Sequence, residues 1–238
     1  MTDAPVLFYS PMTCAASEIL AFEWAGIPYH LCRVAREERK GEAFRASLNP
    51  NGQVPVLLFP DGRVLAENAA LLAWIGDQVP DKGLVPAFGT PERYVFYFWL
   101  SWLDSTFHAA HTPLFAPGRV HPDPVQHEAI KAQALVSIAE LLPRLERHLE
   151  GRQTFFLDRR TVLDGYVFAM GRWSEPRLDY PARFPRLAAF LDRMRQDPAV
   201  QFLLALEKDG TLDTSPSRAF RGHVAFQEML APERGASR

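Results

Sequence analysis

The sequence has few of the features that mark disulfide-stapled, membrane-spanning or nucleic-acid-binding proteins. Only two of its 238 residues are cysteine, Cys14 and Cys32, so a disulfide framework is excluded, and no Cys/His spacing predicts a zinc site. No apolar run approaches the ~20 residues that a membrane helix needs. Lys and Arg (26) nearly balance Asp and Glu (28), which argues against a nucleic acid or an acidic membrane as the partner.

The first residues also lack the pattern of an export signal. Met1 to Val6 contains Asp3 and Pro5 but no basic segment. We therefore expect a cytoplasmic protein, in which both cysteines stay as reduced thiols. The 238 residues and a hydrophobic fraction of 47% are enough for two compact domains with apolar cores.

The first 80 or so residues alternate short apolar runs with helical patterns. The pattern predicts strands over residues 6–9, 29–34, 54–59 and 64–66, and helices over 14–25, 36–48 and 68–79. This order favours an α/β domain built on a small, mixed, four-stranded sheet with flanking helices.

After residue 80 the pattern becomes helical. A Pro- and Gly-rich stretch over 80–89 predicts a linker, and no strand pattern appears after residue 90. Helices are predicted over residues 90–113, 125–149, 185–196 and 198–207, with another from Thr161, which can form a capping box with Asp164. Residues 210–238 are polar and weakly periodic, which predicts a partly ordered tail. The expected division is 1–82, 90–207 for an all-α helical bundle, and 208–238 for a C-terminal extension.

Cys14 is the first candidate for chemistry. It follows a strand and a proline-containing loop, and it stands where a helix begins. Unpaired N–H groups and the helix dipole favour a thiolate at that position, which lowers a thiol pKa. The alternative is a buried structural thiol. Cys32 lies within a predicted strand and is expected to belong to the core.

Two further segments are candidates for binding. Pro55 interrupts an apolar run, and a cis peptide bond after Val54 would turn the N–H and C=O groups of Val54 towards an extended, peptide-like ligand; the alternative is an edge strand with a trans proline. Glu67 and Asn68 open a helix, where they would bind a ligand or simply cap the helix.

Taken together, four motifs resemble the glutathione transferases, and most of all the bacterial beta class. They are Leu-Phe-Tyr-Ser-Pro-Met-Thr-Cys at 7–14, Asn-Pro-Asn-Gly-Gln-Val-Pro-Val-Leu at 49–57, Asp-Gly with Leu-Ala-Glu-Asn at 61–68, and Thr-Val-Leu-Asp-Gly-Tyr at 161–166. The resemblance spans roughly residues 5 to 207. It implies a thioredoxin-like first domain that binds glutathione as co-substrate, a helical domain that receives a small hydrophobic electrophile, and a homodimer.

The resemblance also implies a role for each matching residue. Cys14 lies beside the glutathione sulfur, where Ser10 is a further donor, and His108 is the helical histidine near the active site. The glutathione-binding positions that it implies are Val54, Pro55, Glu67 and Asn68.

Three departures from the family pattern leave other functions open. Asn68 stands where the family usually has serine, Ala109 replaces a basic residue, and Met12-Thr13 is heavier than the usual small pair. One alternative is a monothiol disulfide reductase with Cys14 as the nucleophile. The other is a non-catalytic binding protein of the same superfamily.

Overall fold

The computed structural model describes residues 2–210 and 212–229. Within these residues the chain packs as two compact units, one formed by residues 2–84 with 197–210 and 212–229 and the other by Val85–Gln196. The predicted segments were 1–82, 90–207 and 208–238. They differ from the observed units because the described residues after Gln196 pack with the first unit. Residues 211 and 230–238 of the predicted tail lie outside the described part.

The first unit is a mixed sheet with helices. Its strands are β1 (Val6–Tyr9), β2 (Tyr29–Arg33), β3 (Val56–Leu58), β4 (Val64–Ala66) and β5 (Phe220–His223). They lie in the order β4-β3-β1-β2-β5; β1 is parallel to β2 and antiparallel to β3, and β3 is antiparallel to β4. The helices of this unit are α1 (Ala16–Ala25), α2 (Arg36–Lys40), α3 (Glu42–Ser47), α4 (Asn68–Asp77), α11 (Pro198–Asp209) and α12 (Phe226–Met229).

Apolar sequence and turn residues set these elements. All four residues of β1 and all ten of α1 are buried, as expected for a central strand and its crossover helix. Gly26 ends α1 in the left-handed region at φ +66°, and its N–H donates to Phe22 O at 2.8 Å. The mixed sheet and its flanking helices agree with the predicted fold class.

The prediction of four strands, with none after residue 90, was wrong. β5 pairs with β2 in parallel. The N–H of Tyr29 in β2 donates to Ala219 O, just before β5, and Leu31 O in β2 accepts from the N–H of Val224, just after β5. Phe220 is buried against the Tyr29 ring, 5.8 Å between centroids. Residues 220–223 contain one large apolar residue and a glycine, so no alternation marks them; the edge of β2 supplies the missing partner.

The helix α11 also departs from the expected place. Sequence analysis put residues 198–207 in the helical domain, whereas α11 packs with α1 in the first unit. At its start, Asp197 accepts from the indole N–H of Trp24 at 3.2 Å and caps Ala199 N–H at 2.8 Å. Its amphipathic pattern predicts a helix equally well against either unit, so the pattern does not say which surface it covers.

The second unit is all helical among the residues that the structure describes. It contains α5 (Pro91–Trp102), a π-helical segment (Leu103–His108), α6 (Ala109–Phe115), α7 (His127–His148), α8 (Val162–Leu178), α9 (Tyr180–Arg183) and α10 (Pro185–Arg195). The predicted start of α8 is confirmed: Thr161 and Asp164 form a capping box, and Asp164 also accepts from Phe155 N–H at 2.7 Å.

Neither a membrane span nor a metal cluster occurs in the part of the chain that the structure covers. No helix there is long and apolar enough to cross a bilayer. No group of three or more His, Cys, Asp or Glu side chains there is arranged to hold a metal ion.

Candidate active site

Cys14 lies at the end of the loop that joins β1 to α1. Its side chain is 7% exposed, and its thiol donates to the carbonyl oxygen of Val54, 3.7 Å from Sγ. The Cys14 carbonyl accepts from Ser17 N–H at 2.8 Å, in the first turn of α1. The Cys14 thiol therefore lies near the N-terminus of α1, is largely buried, and donates to a backbone carbonyl.

Ser10 is held differently from the expectation. Its hydroxyl donates to Val34 O at 2.6 Å, and its own carbonyl accepts from the Thr13 hydroxyl at 2.6 Å. A serine has one hydroxyl proton to donate. In this arrangement the Ser10 proton is engaged by Val34 O, so Ser10 anchors the loop.

The segment before Pro55 is a tight, internally bonded turn. The Asn49 amide donates to Gln53 O at 3.1 Å and its oxygen accepts from Asn51 N–H at 3.0 Å. Gly52 has φ +63°, and a Cβ there would lie 2.7 Å from Arg39 O, so glycine is required. The Val54–Pro55 peptide bond is cis, as the family resemblance implied, whereas the sequence chemistry alone left a trans proline open.

Glu67 and Asn68, adjacent in sequence, have opposite environments. Glu67 is exposed, has φ +73°, and makes no side-chain cap to α4, so simple capping does not explain it. Asn68 is 5% exposed. Its amide lies 3.3 Å from Ser17 Oγ and, with the NH₂ group turned towards Glu18, 3.0 and 3.2 Å from that carboxylate.

Asn68 is therefore tied to the start of α1. The Ser17 hydroxyl that it contacts also donates to the Cys14 carbonyl at 2.7 Å. The longer amide, in place of the usual serine, reaches a buried carboxylate at the base of the candidate site. Of these two positions, only Glu67 presents an exposed charge for a ligand.

His108 lies in the second unit, within the π-helical segment. Its Nδ1 is 3.0 Å from the Tyr166 hydroxyl, and that hydroxyl donates to Asp104 Oδ1 at 2.7 Å. Because a carboxylate only accepts and the tyrosine has one proton, the hydroxyl must accept from His108 Nδ1–H. In neutral His108 the Nε2 atom then keeps its lone pair, on a side chain that is 28% exposed.

Sequence reasoning named His108 but missed its partners. The i,i+4 spacing of Asp104 and His108 was a visible signal; the contact with Tyr166 across 58 residues was not. His108 and the Tyr166 hydroxyl hold the pKa of the Asp104 carboxyl below its ordinary value. The π-helical segment that carries both Asp104 and His108 is of a kind often found at functional sites.

His111 was also missed, and it is buried. Its Nδ1 contacts Phe107 O at 2.8 Å and its Nε2 contacts Ser174 Oγ at 3.0 Å. Burial lowers its pKa from 6.5 to about 4, with His108 adding to the effect and the Phe107 carbonyl opposing it. Cys32 lies in the core as expected, where burial raises its pKa to about 12.

The structure thus brings Cys14, Val54 and Pro55 together in the first unit, with Asn68 linked to them through Ser17. Ser10 anchors the same loop, and Glu67 stands at the start of α4. His108 belongs to a separate polar group in the second unit.

The sequence matches the family described as "Glutathione S-transferase, N-terminal domain" over residues 14–78. Glutathione S-transferase GstA of Escherichia coli O157:H7 is 29% identical over 204 residues, which cover 84% of this chain and 98% of that protein. The probable glutathione S-transferase BZ2 of Zea mays is 31% identical over 228 residues, which cover 93% of this chain and 86% of that protein.

Solved structures agree. A sphingomonad glutathione S-transferase complexed with glutathione has a TM-score of 0.76 and 34% identity, covering 85% of this chain and 98% of its own. A bacterial beta-class glutathione S-transferase from Sphingomonas chungbukensis has a TM-score of 0.75 and 33% identity, with coverages of 85% and 98%. With its sheet, its cis-proline turn and its Cys14 loop, the chain belongs to the glutathione S-transferase family.

Proposed function

We propose that this protein conjugates the thiolate of glutathione to small hydrophobic electrophiles. The observation that carries the proposal is the Cys14 thiol, which lies at the start of α1 and donates to the carbonyl of Val54, beside the cis-proline. Both the proton donor for a sulfur anion and the backbone groups for an extended tripeptide are therefore in one place. A related sphingomonad enzyme has been solved with glutathione bound.

Glutathione binding would use main-chain and charged groups of the first unit. We assign the backbone of Val54 and Pro55 to the cysteinyl part of glutathione. The exposed Glu67 carboxylate suits the ammonium of the γ-glutamyl group. Asn68 would support the site indirectly and would not contact glutathione with its side chain, because its amide is engaged with Ser17 and Glu18.

In the proposed reaction the glutathione sulfur forms a bond to the electrophilic carbon, and the leaving group departs with the bonding electron pair. The proton of the glutathione thiol is lost to solvent before the attack. The Cys14 S–H would then donate to the resulting thiolate instead of to Val54 O, which stabilises the anion. Ser10 contributes by holding the loop.

The decisive assay separates conjugation from disulfide reduction. Purified protein is assayed with glutathione and chlorodinitrobenzene, and Cys14→Ala is compared with Cys32→Ala as a matched control. We expect turnover by the wild type and by Cys32→Ala, and a reduced but measurable rate in Cys14→Ala. If Cys14→Ala loses disulfide reductase activity and the wild type carries a stable glutathione adduct on Cys14, the monothiol reductase is favoured instead. No turnover and no retention on immobilised glutathione would favour a non-catalytic binding protein.

We also propose that the protein forms a homodimer through the first turns of α5. Phe88, Tyr94 and Phe98 are 71%, 71% and 50% exposed in the second unit, and exposed aromatic groups of this kind mark interaction surfaces. Tyr94→Glu should yield a monomer by size-exclusion chromatography with light scattering. Val125→Glu, at a residue 82% exposed elsewhere in this unit, should leave a dimer. A wild-type monomer would contradict the proposal.

As to organisation and location, we propose that the first unit binds glutathione and that the second unit, Val85–Gln196, receives the electrophile. A cytoplasmic location would supply reduced glutathione. Cell fractionation with a periplasmic marker tests the location.

A further inference from the structure

The loop that carries Cys14 is held by a residue almost two hundred positions away. Met12 N–H donates to Glu207 Oε1 at 2.9 Å, with the two residues 195 apart in sequence. Glu207 lies in the last turn of α11, the helix that sequence analysis had placed in the other domain. The contact joins α11 to the residue two positions before Cys14.

The conformation of Met12 shows why this contact matters. Met12 has φ +56°, a left-handed conformation that is unfavourable for a non-glycine residue. Its side chain is 54% exposed, so side-chain packing does little to hold it there. The hydrogen bond to a carboxylate is of the stronger, charge-assisted kind and favours this one conformation of the backbone.

The surroundings place the Glu207 charge beside β1 as well as beside the loop. The pKa of Tyr9, the last residue of β1, is raised to about 12, first by burial and further by Glu207, while the Arg33 guanidinium opposes the shift. Ser10 is fixed by its bond to Val34 O, at the residue that follows β2. The loop is thus bonded both to the end of β2 and to α11.

We propose that Glu207 is a positioning residue, which accepts from Met12 N–H and so keeps the Cys14 thiol in place at Val54. The proposal rests on the proposed function for its catalytic consequence, but the position of the thiol can be measured without turnover. No part of the motif pattern in residues 1–82 indicates this role, because the residue lies on α11.

The test compares Glu207→Ala with Glu207→Gln, whose amide oxygen can still accept from Met12 N–H. Lys208→Ala, at an exposed residue of the same turn, is the matched control. We expect kcat/KM for glutathione with chlorodinitrobenzene to fall about tenfold in Glu207→Ala, because a small misplacement of a reacting group is costly, and to stay within about twofold in the other two. Urea unfolding of each variant separates this effect from loss of fold.

A second readout keeps the two proposals distinguishable. Iodoacetamide alkylation of Cys14 is followed by peptide mass spectrometry; Cys32, buried with a raised pKa, serves as the unreactive internal reference. We expect Glu207→Ala to react about threefold to tenfold faster than the wild type, because a loosened loop exposes the thiol, with Glu207→Gln close to the wild type. An unchanged rate in Glu207→Ala, or a Gln variant as altered as the Ala variant, overturns the positioning role. Altered alkylation in a protein with no transferase turnover would retain it and overturn only the proposed function.

Discussion

The two units of this protein hold their polar groups in different ways. In the first unit the residues of the Cys14 loop are held through main-chain groups: Cys14 donates to Val54 O, Ser10 donates to Val34 O, and Met12 donates through its N–H. In the second unit the group around His108 is held by side chains from separate helical segments, because the Tyr166 hydroxyl joins His108 to Asp104. The comparison suggests that side-chain substitutions in the Cys14 loop cost little stability, whereas buried polar substitutions between helices cost more.

The largest expected effect tests how firmly the C-terminal segment belongs to the first unit. Phe226 is 6% exposed, and its ring lies 6.5 Å from that of Phe8 and 6.0 Å from that of Phe44. Phe226→Ala should lower the free energy of unfolding in urea by about 3–4 kcal/mol through lost burial and a cavity. Phe115→Ala, at a half-exposed ring outside the proposed dimer surface, is the control. A loss below about 1 kcal/mol for Phe226→Ala would mean that this segment is not part of the core.

The next effect concerns pH and the second unit. His111 has a folded pKa of about 4 against 6.5 unfolded, so its contribution is fully present above pH 6.5 and is lost as the pH falls through 4. The lost stability amounts to about 3 kcal/mol. Urea unfolding at several pH values should show this loss in the wild type but not in His111→Gln, after subtraction of the pH dependence that both proteins share.

The difference between the two proteins is the quantity that decides. If the wild type and His111→Gln lose stability in parallel between pH 6.5 and pH 4, this contradicts the claim that burial keeps His111 neutral in the folded protein.

A smaller effect is expected from the group around His108. Tyr166→Phe removes the hydroxyl that links His108 to Asp104, and it should cost about 1–2 kcal/mol of unfolding free energy. Tyr94→Phe, at an exposed tyrosine, should cost almost nothing. Equal stability of the two variants in urea would contradict the difference drawn between the units.

The sequence predicts the local features of this arrangement better than the contacts between distant segments. The turn at 49–52 and the place of Cys14 before a helix were predictable from their local residue types. The Thr161–Asp164 capping box was predictable for the same reason. The cis bond at Pro55 was implied by the family resemblance, because local chemistry alone left a trans proline open.

Contacts between distant segments were not predictable in this way. The short strand β5 has no alternation, and its partner β2 lies almost two hundred residues earlier. The bond from Met12 to Glu207 and that from His108 to Tyr166 depend on how elements pack, which local patterns do not encode. The sequence indicates that His108 lies on a helix, but it does not indicate that the Tyr166 hydroxyl fixes the tautomer of this histidine.

The smallest expected effect is in the Cys14 loop. Met12→Gly keeps the N–H that bonds to Glu207 and removes the cost of the left-handed conformation, although it also makes the unfolded chain more flexible. The net change should be a gain of about 0.5 kcal/mol in unfolding free energy. Met12→Ala, which keeps the unfavourable conformation, is the control and should show no gain. A loss above about 1 kcal/mol in the glycine variant would show that the Met12 side chain, not its backbone, stabilises the loop.

The central claim is that the Cys14 thiol donates to the sulfur of bound glutathione. The most direct measurement is the pKa of the bound glutathione thiol, obtained from ultraviolet difference spectra with and without glutathione across a pH series. The account predicts a pKa well below that of free glutathione in the wild type, with a clear return towards the free value in Cys14→Ala. The same lowered pKa in both proteins, while both still bind glutathione, would contradict it.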